Sequence, residues 1–115
     1  MNKPTRFYSA RQEKGIAKAF DGKPVNNSGA GKFKKGDVEI GDLFLIEAKT
    51  KVSPSKSITI QQEWLDKIRE EAFQMGKSYS ALAFNFGGAS ENHYIISPEL
   101  FDFLVHKLLE ERLNG

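Results

Sequence analysis

The stretch of residues 41–50, GDLFLIEAKT, decides the fold, because an apolar run within it ends abruptly in an acid and a base. Alternation with a period of two places Glu47 and Lys49 on one face of a strand that runs from Leu43 to Lys49. Apolar residues at nearly every earlier position predict that both faces of this strand are covered. The acid and the base therefore point the same way where a buried strand leaves the core.

A second short strand precedes this one and predicts a hairpin. Val38–Ile40 has strand character, and Gly41-Asp42 is typical of a tight turn between two paired strands. Pairing across that turn places Asp37 roughly opposite the region of Glu47. Two carboxylates from neighbouring strands are then expected to converge.

The remaining chain alternates helical and strand patterns. A basic arm, residues 1–8, precedes a helix over Ala10–Phe20 that Ser9 and Gln12 begin as a capping box. A second capping pattern starts at Thr59 and predicts a helix with one apolar stripe made of Trp64, Leu65, Ile68, Ala72 and Met75. Strands follow over Tyr79–Phe86 and His93–Ile96. Ser97-Pro98-Glu99 begins a last helix, with a predicted core face of Phe101, Leu104, Val105, Leu108 and Leu109. The order predicts an α/β fold, a mixed central sheet flanked by helices.

The composition is that of an ordinary globular chain of 115 residues, with 39% apolar residues, 28% charged residues and no cysteine. This length suits one domain, 1–115, with a real core, and the lack of cysteine excludes disulfides and a thiolate nucleophile. The longest apolar run, Leu43–Ile46, is too short to span a bilayer. A cytoplasmic protein of a bacterial, archaeal or virus-infected cell, with no membrane partner, is expected.

Charge is distributed unevenly along the chain. Residues 1–36 carry nine Lys or Arg and two acids, a net charge of +7, whereas residues 37–115 carry eight bases and 13 acids, a net charge of −5. The segment VNNSGAGKFKKGD, residues 25–37, combines small residues with three lysines, which lets a backbone approach a phosphate closely. The asymmetry predicts an anionic partner, although a basic surface without a partner fits the charge equally well.

The acids and the lysine suggest phosphodiester chemistry. Asp37 and Glu47 are expected on paired strands, with Lys49 on the same face as Glu47, and Glu13 lies on the apolar stripe of the first helix. Mg²⁺ can activate a water and neutralise a phosphate, and it prefers hard oxygen ligands. An ion pair between Glu47 and Lys49 on an edge strand, with Glu13 simply solvated or paired with a base, remains open on spacing alone.

The segment KGDVEIGDLFLIEAKT, residues 35–50, resembles the signature of the PD-(D/E)xK nuclease superfamily. Asp37 matches its first acid, and Glu47 and Lys49 match its E-x-K; Gly36 stands where the family often has Pro. Within the superfamily the chain is similar to Holliday-junction resolvases of archaeal and RecU type, including phage-borne relatives. This similarity extends to the helical Glu13, the loop containing Ser28, the Gln-bearing helix and the ending ALAFNF…HYIISPELFDFL.

The resemblance implies a restriction-endonuclease-like αβββαβ core, a homodimer, and branched DNA, a four-way junction, as substrate. Asp37, Glu47 and the backbone carbonyl of Ala48 would bind Mg²⁺, with Mn²⁺ as a substitute, and Glu13 would complete the site or hold a second ion. Lys49 would act on the attacking water. Nucleic-acid contacts are expected from Arg11, Ser28, Lys32, Lys34 and Lys35.

Several alternatives stay open at this point. Asp42 is a weaker candidate for the first acid, and Gln62 either supports the site or only caps its helix. Another nuclease of the superfamily, of nicking, repair or restriction type, fits the same residues. A DNA-binding module of the same fold without catalysis fits as well.

Overall fold

The part of the chain that the structure describes folds into three helices and five strands. The computed structural model describes residues 5–25, 36–88 and 90–115. In chain order the elements are α1 (Thr5–Ala19), β1 (Lys23–Pro24), β2 (Val38–Ile40), β3 (Phe44–Lys49), α2 (Gln62–Gln74), β4 (Tyr79–Phe84), β5 (His93–Ile95) and α3 (Pro98–Asn114).

The strands form one sheet in the order β1-β2-β3-β4-β5. Only β3 and β4 run parallel, and the other neighbouring pairs run antiparallel. Helix α2 is the crossover that a parallel pair requires. The predicted class, α/β with a mixed central sheet flanked by helices, is confirmed.

Both faces of β3 are covered, as its nearly continuous apolar sequence predicts. Ile46 packs in a cluster with Ile16 of α1 on one face, and Leu45 packs with Ile68 of α2 on the other. Leu45 and Ile46 are at most 2% exposed. Packing against α1 and α2 therefore holds β3 in place, and with it the polar residues at the end of the strand.

The hairpin turn forms where the sequence predicts it. The amide of Leu43 donates to the carbonyl of Ile40 at 3.0 Å, which closes a tight turn over Gly41 and Asp42. Gly41 has a φ of 51°, a left-handed conformation that glycine adopts without strain. The hairpin register pairs Val38 with Ile46.

Three local predictions are wrong. Helix α1 already begins at Thr5, so residues 5–8 are helical and Ser9 cannot cap it; stacking of Arg11 near the rings of Phe7 and Tyr8 stabilises the added turn. Helix α2 begins at Gln62 with no side-chain cap, so the predicted capping box at Thr59 does not form. The cap at Ser97 does form, since its hydroxyl accepts a hydrogen bond from the Leu100 amide at 3.1 Å.

The third wrong prediction concerns the core face of α3. Leu100 is the only buried residue of this helix. The predicted core residues Phe101, Leu104, Leu108 and Leu109 are 41–64% exposed.

Among the described residues, no helix is long and apolar enough to cross a membrane.

Candidate active site

The candidate site lies where the hairpin ladder breaks at Asp37. Extending the β2–β3 register by one residue would pair Asp37 with Glu47. Instead, the backbone amide of Asp37 donates to the carbonyl of Ile46 at 3.0 Å, and Ile46 lies one residue before Glu47 in β3. The freed amide of Ala48 then donates to Oδ2 of Asp37 at 2.8 Å. A side chain replaces the backbone ladder here, and it holds the Asp37 carboxylate beside the end of β3.

Gly36 makes this arrangement possible. Its φ is 76°, which proline cannot adopt, and a Cβ at this position would lie 2.6 Å from Cγ of Leu45. Leu45 is fully buried and cannot easily move. The glycine at position 36 therefore has a local reason, because the chain turns into β2 over the side chain of Leu45.

Glu47 lies close to Asp37 and is largely withdrawn from water. Burial raises the pKa of Glu47 to about 7, and the Asp37 carboxyl group adds to the rise through a hydrogen bond and its charge. Lys49 and Lys67 act in the opposite direction and lower this pKa. Two carboxyl groups that share space in this way hold a proton or attract a cation. The structure thus brings together the two acids that the sequence analysis paired.

Lys49 is held between an acid and an aromatic ring. Its Nζ lies 3.7 Å from Oε2 of Glu47 and 4.4 Å from the ring centre of Trp64 on α2. The side chain of Lys49 is 30% exposed, so the ammonium group still reaches solvent. Trp64, predicted as a core residue, is only half-buried, and its ring face confines the lysine.

Glu13 approaches the site from α1. It is half-buried, and burial followed by the charge of Asp37 raises the pKa of Glu13 to about 7. Asp37 is therefore the acid whose charge affects both Glu13 and Glu47. The nearby Asp37 explains why a carboxyl group lies on the apolar stripe of α1. Glu13 is therefore more than an exposed, solvated side chain.

The acid pair fits Mg²⁺ by its donor chemistry. Within residues 5–25, 36–88 and 90–115, no group of three or more acidic, His or Cys side chains is arranged to hold a metal ion. Mg²⁺ commonly uses one or two carboxylates and keeps several waters, so Asp37 and Glu47 suffice as side-chain ligands. Burial is the main cause of the raised pKa of Glu47 and the Asp37 carboxyl group adds to it. A divalent cation bound by both acids would favour their ionised forms.

A buried network of hydrogen bonds to amide groups holds the end of β3 in place, and it was not predicted from the sequence. Gln12 is 6% exposed, and its Nε2 donates to the carbonyl of Lys49 at 2.8 Å and to Oδ1 of Asn92 at 3.0 Å. The amide of Asn85, one residue beyond β4, donates to the same Lys49 carbonyl at 3.2 Å. The network joins α1, β3 and β4 directly behind the lysine. The available sequence signal was the spacing of four residues between Gln12 and Ile16, which places both side chains on the same face of α1.

The other predicted site residues are less constrained. Arg11 is exposed, and its Nη2 donates to the carbonyl of Gly88 at 2.6 Å. Asp42 lies exposed in the hairpin turn, away from the ladder break, which disfavours it as the first acid. Gln61 and Gln62 are exposed at the start of α2. The predicted nucleic-acid contacts of Ser28, Lys32, Lys34 and Lys35 fall outside the described residues.

Comparison with known proteins adds no relative. No protein-family model matches the chain, and no curated protein or solved structure matches it at a significant level.

Proposed function

We propose that this protein is a Mg²⁺-dependent endonuclease that cuts branched DNA, and specifically a Holliday-junction resolvase. The observation that carries the proposal is the ladder break, where Asp37 and Glu47 become neighbours beside Lys49. An ordinary edge ion pair needs neither a glycine with positive φ before Asp37 nor a largely buried acid side chain at position 47. The element order, which begins αβββαβ, is the one that the resemblance implies.

Each residue has a role that follows from its surroundings. Asp37 and Glu47, together with the Ala48 carbonyl, would hold the metal ion, which supplies an activated water and neutralises charge on the phosphate. Lys49, whose ammonium group reaches solvent beside Glu47, would orient the attacking water or help to deprotonate it. Glu13 lies on α1 and would support Asp37 either as a further metal ligand or through a bound water.

The DNA partner is supported by charge. Residues 1–36 hold most of the excess positive charge, and α1 begins that segment and carries Glu13 to the acid pair. Arg11 of this segment donates to the carbonyl of Gly88, which follows β4. A phosphate backbone drawn to Arg11 would approach the ends of β3 and β4, the edge where ligands commonly bind in α/β sheets. A homodimer and a location in the cell interior complete the proposal.

A cleavage assay on two substrates tests the proposal. We expect paired, symmetric nicks in a labelled four-way junction with Mg²⁺, none with EDTA, and little cutting of a linear duplex of the same sequence. Glu47→Gln keeps the shape of the side chain and should abolish cutting while junction binding remains. Glu70→Gln, an exposed acid on α2, is the matched control and should cut normally.

The other outcomes assign the alternatives. Equal cutting of duplex and junction would make the protein a general nuclease of the same superfamily. Junction binding without Mg²⁺-dependent cutting would leave a DNA-binding module. Normal cutting by Glu47→Gln would remove the proposed site altogether.

A further inference from the structure

A polar cleft lies beside the candidate active site, on the face of the sheet that α1 covers. Its volume is about 290 Å³, near the lower end of the range for small-molecule sites. None of the residues that line it is acidic. The polar side chains in its wall include Tyr8, Arg11, Gln12, Thr50, Asn85 and Asn92. We call this space the α1 cleft.

The α1 cleft adjoins the residues of the candidate active site. Thr50 follows Lys49 in the chain, and Gln12 precedes Glu13 on α1. Alternation along the strand turns the Lys49 side chain toward Trp64 of α2 and the Thr50 side chain toward the cleft. Nε2 of Gln12 donates to the carbonyl of Lys49 at 2.8 Å. A phosphate that meets Lys49 therefore brings the neighbouring nucleotide to the mouth of the cleft.

Two amide side chains in the wall of the α1 cleft have hydrogen-bonding groups without partners. Gln12 is 6% exposed, and its Oε1 is buried with no partner in the described part of the chain. A buried acceptor in this state lowers stability. Oδ1 of Asn92 accepts hydrogen bonds from Gln12 and Asn85, both at 3.0 Å, but no described residue accepts one from its Nδ2. The pair thus holds one unused acceptor and one unused donor, and complementary groups lie side by side on the Watson–Crick edge of a nucleobase.

The rim of the α1 cleft carries a cation and an aromatic ring. Nη2 of Arg11 donates to the carbonyl of Gly88 at 2.6 Å, which holds the guanidinium at the rim. Within the described ranges no carboxylate pairs with Arg11, so its other N–H groups can bind a phosphate. The guanidinium lies 5.9 Å from the ring centre of Tyr8. An aromatic ring at this place gives a nucleobase a flat surface on which to stack.

Gly15 keeps the α1 cleft open on the side of the helix. It lies three residues after Gln12 and four after Arg11, so the three residues share one face of α1. Glycine in a helix interior lowers stability relative to alanine. A Cβ at position 15 would meet nothing within 4 Å, so no packing contact requires glycine here. Since Gly15 lines the cleft, a large side chain at this position would fill the cleft and leave the core unchanged.

We propose that the α1 cleft binds an unpaired nucleotide, with its base against Gln12 and Asn92 and its phosphate on Arg11. A base in a duplex already uses its Watson–Crick edge, so only an unpaired base can present that edge to the two amides. Two sources carry this chemistry: an unpaired nucleotide in the DNA strand that is cut, and a free mononucleotide. The inference rests on the proposed function, because the nearness of Lys49 is what selects a nucleotide among polar ligands.

The test compares a labelled single-stranded oligodeoxynucleotide with its abasic counterpart, by fluorescence anisotropy in EDTA. The abasic strand keeps every phosphate and lacks only the bases, so we expect it to bind about ten-fold more weakly. Gly15→Leu should remove this difference because the leucine fills the cleft, and its melting temperature should not fall, since leucine favours a helix more than glycine does. Ala19→Leu, at an exposed position further along α1, is the matched control and should keep the difference.

Equal binding of the two strands by the wild type would overturn the inference, and so would a preference for bases that Gly15→Leu retains. Competition with deoxyadenosine monophosphate separates the two sources. Displacement of the oligonucleotide by the mononucleotide, lost in Gly15→Leu, assigns the cleft to free nucleotides, whereas a base preference without displacement assigns it to a DNA strand.

The binding assay in EDTA also separates this inference from the proposed function. A preference for bases without Mg²⁺-dependent cleavage would remove the nuclease and leave the cleft. Junction cleavage by a protein that binds both strands equally would remove the cleft and leave the nuclease.

Discussion

The amide of Ala48 donates a 2.8 Å hydrogen bond to Oδ2 of Asp37 across the hairpin. This bond replaces a backbone ladder contact and orients a carboxylate toward the end of β3. The same carboxyl group helps to raise the pKa of Glu47. One irregular strand pairing therefore positions the pair of acids on which the proposed chemistry depends.

Asp37→Asn should lower Mg²⁺-dependent junction cleavage by roughly 100-fold or more. The amide side chain keeps an oxygen for the Ala48 amide but loses the charge that binds a cation. Asp42→Asn in the exposed turn is the matched control, because Asp42 was the other candidate for the first acid. Single-turnover cleavage with a parallel binding assay measures both; loss of activity in Asp42→Asn alone would exchange their roles.

Stability of the metal-free protein should fall as the pH rises from about 4.5 to about 7. The folded state holds protons on Glu13 and Glu47, whose pKa values are raised to about 7, after the unfolded chain has released them. The folded state binds more protons in that window, so the free energy of unfolding decreases with pH. Urea unfolding at several pH values, in EDTA, measures the slope, and Glu47→Gln should reduce it.

Mg²⁺ should raise the melting temperature at pH 8 and have little effect at pH 5. Only the ionised acid pair attracts the cation, and binding to the folded state alone stabilises it. Thermal melts over a Mg²⁺ titration provide the measurement, with Glu47→Gln as the variant that should not respond. An equal increment in that variant would place any bound Mg²⁺ elsewhere.

Trp64→Ala should slow cleavage by roughly five-fold, while Trp64→Phe should retain most of the rate. The ring face lies 4.4 Å from Nζ of Lys49, and a cation–π contact of about 1 kcal/mol corresponds to a five-fold effect. A purely structural role for Trp64 predicts that both variants lose stability and activity together. Cleavage rates compared with melting temperatures separate these cases.

Gly36→Ala should destabilise the fold more than Gly41→Ala does. Both glycines have positive φ, 76° and 51°, so both variants incur a backbone cost of about 1 kcal/mol. Only the Cβ at position 36 meets a buried side chain, at 2.6 Å from Leu45, whereas nothing lies within 4 Å at Gly41. Urea unfolding of the two variants measures the difference, and equal losses would show that Leu45 yields without cost.

The hairpin was predictable because its signals are local. Period-two alternation indicated which residues of β3 share a face, and Gly41 with Asp42 marked the turn. The ladder break at Asp37 was not predictable, since it depends on the packing of Leu45 beneath Gly36. Gln12 was also misread, because a capping role and a buried contact with Lys49 have the same sequence signature.

The error in α3 has a different cause. A helical stripe of apolar residues predicts a face that is covered, but the covering group does not have to come from the same molecule. Leu104 and Leu108 satisfy the periodicity of a core helix and yet stay exposed. The pattern identified the apolar side of α3 correctly, but it could not show whether the rest of the fold packs against that side.

The outer strands of the sheet are very short, two residues in β1 and three in β5. In the described part of the chain, the sheet therefore offers few free backbone groups to another polypeptide. A strand of another molecule would therefore find few backbone groups to pair with at either edge of the sheet. An assembly through the described residues would then rest mainly on side-chain contacts, which point substitutions on the surface can tune without disturbing the sheet.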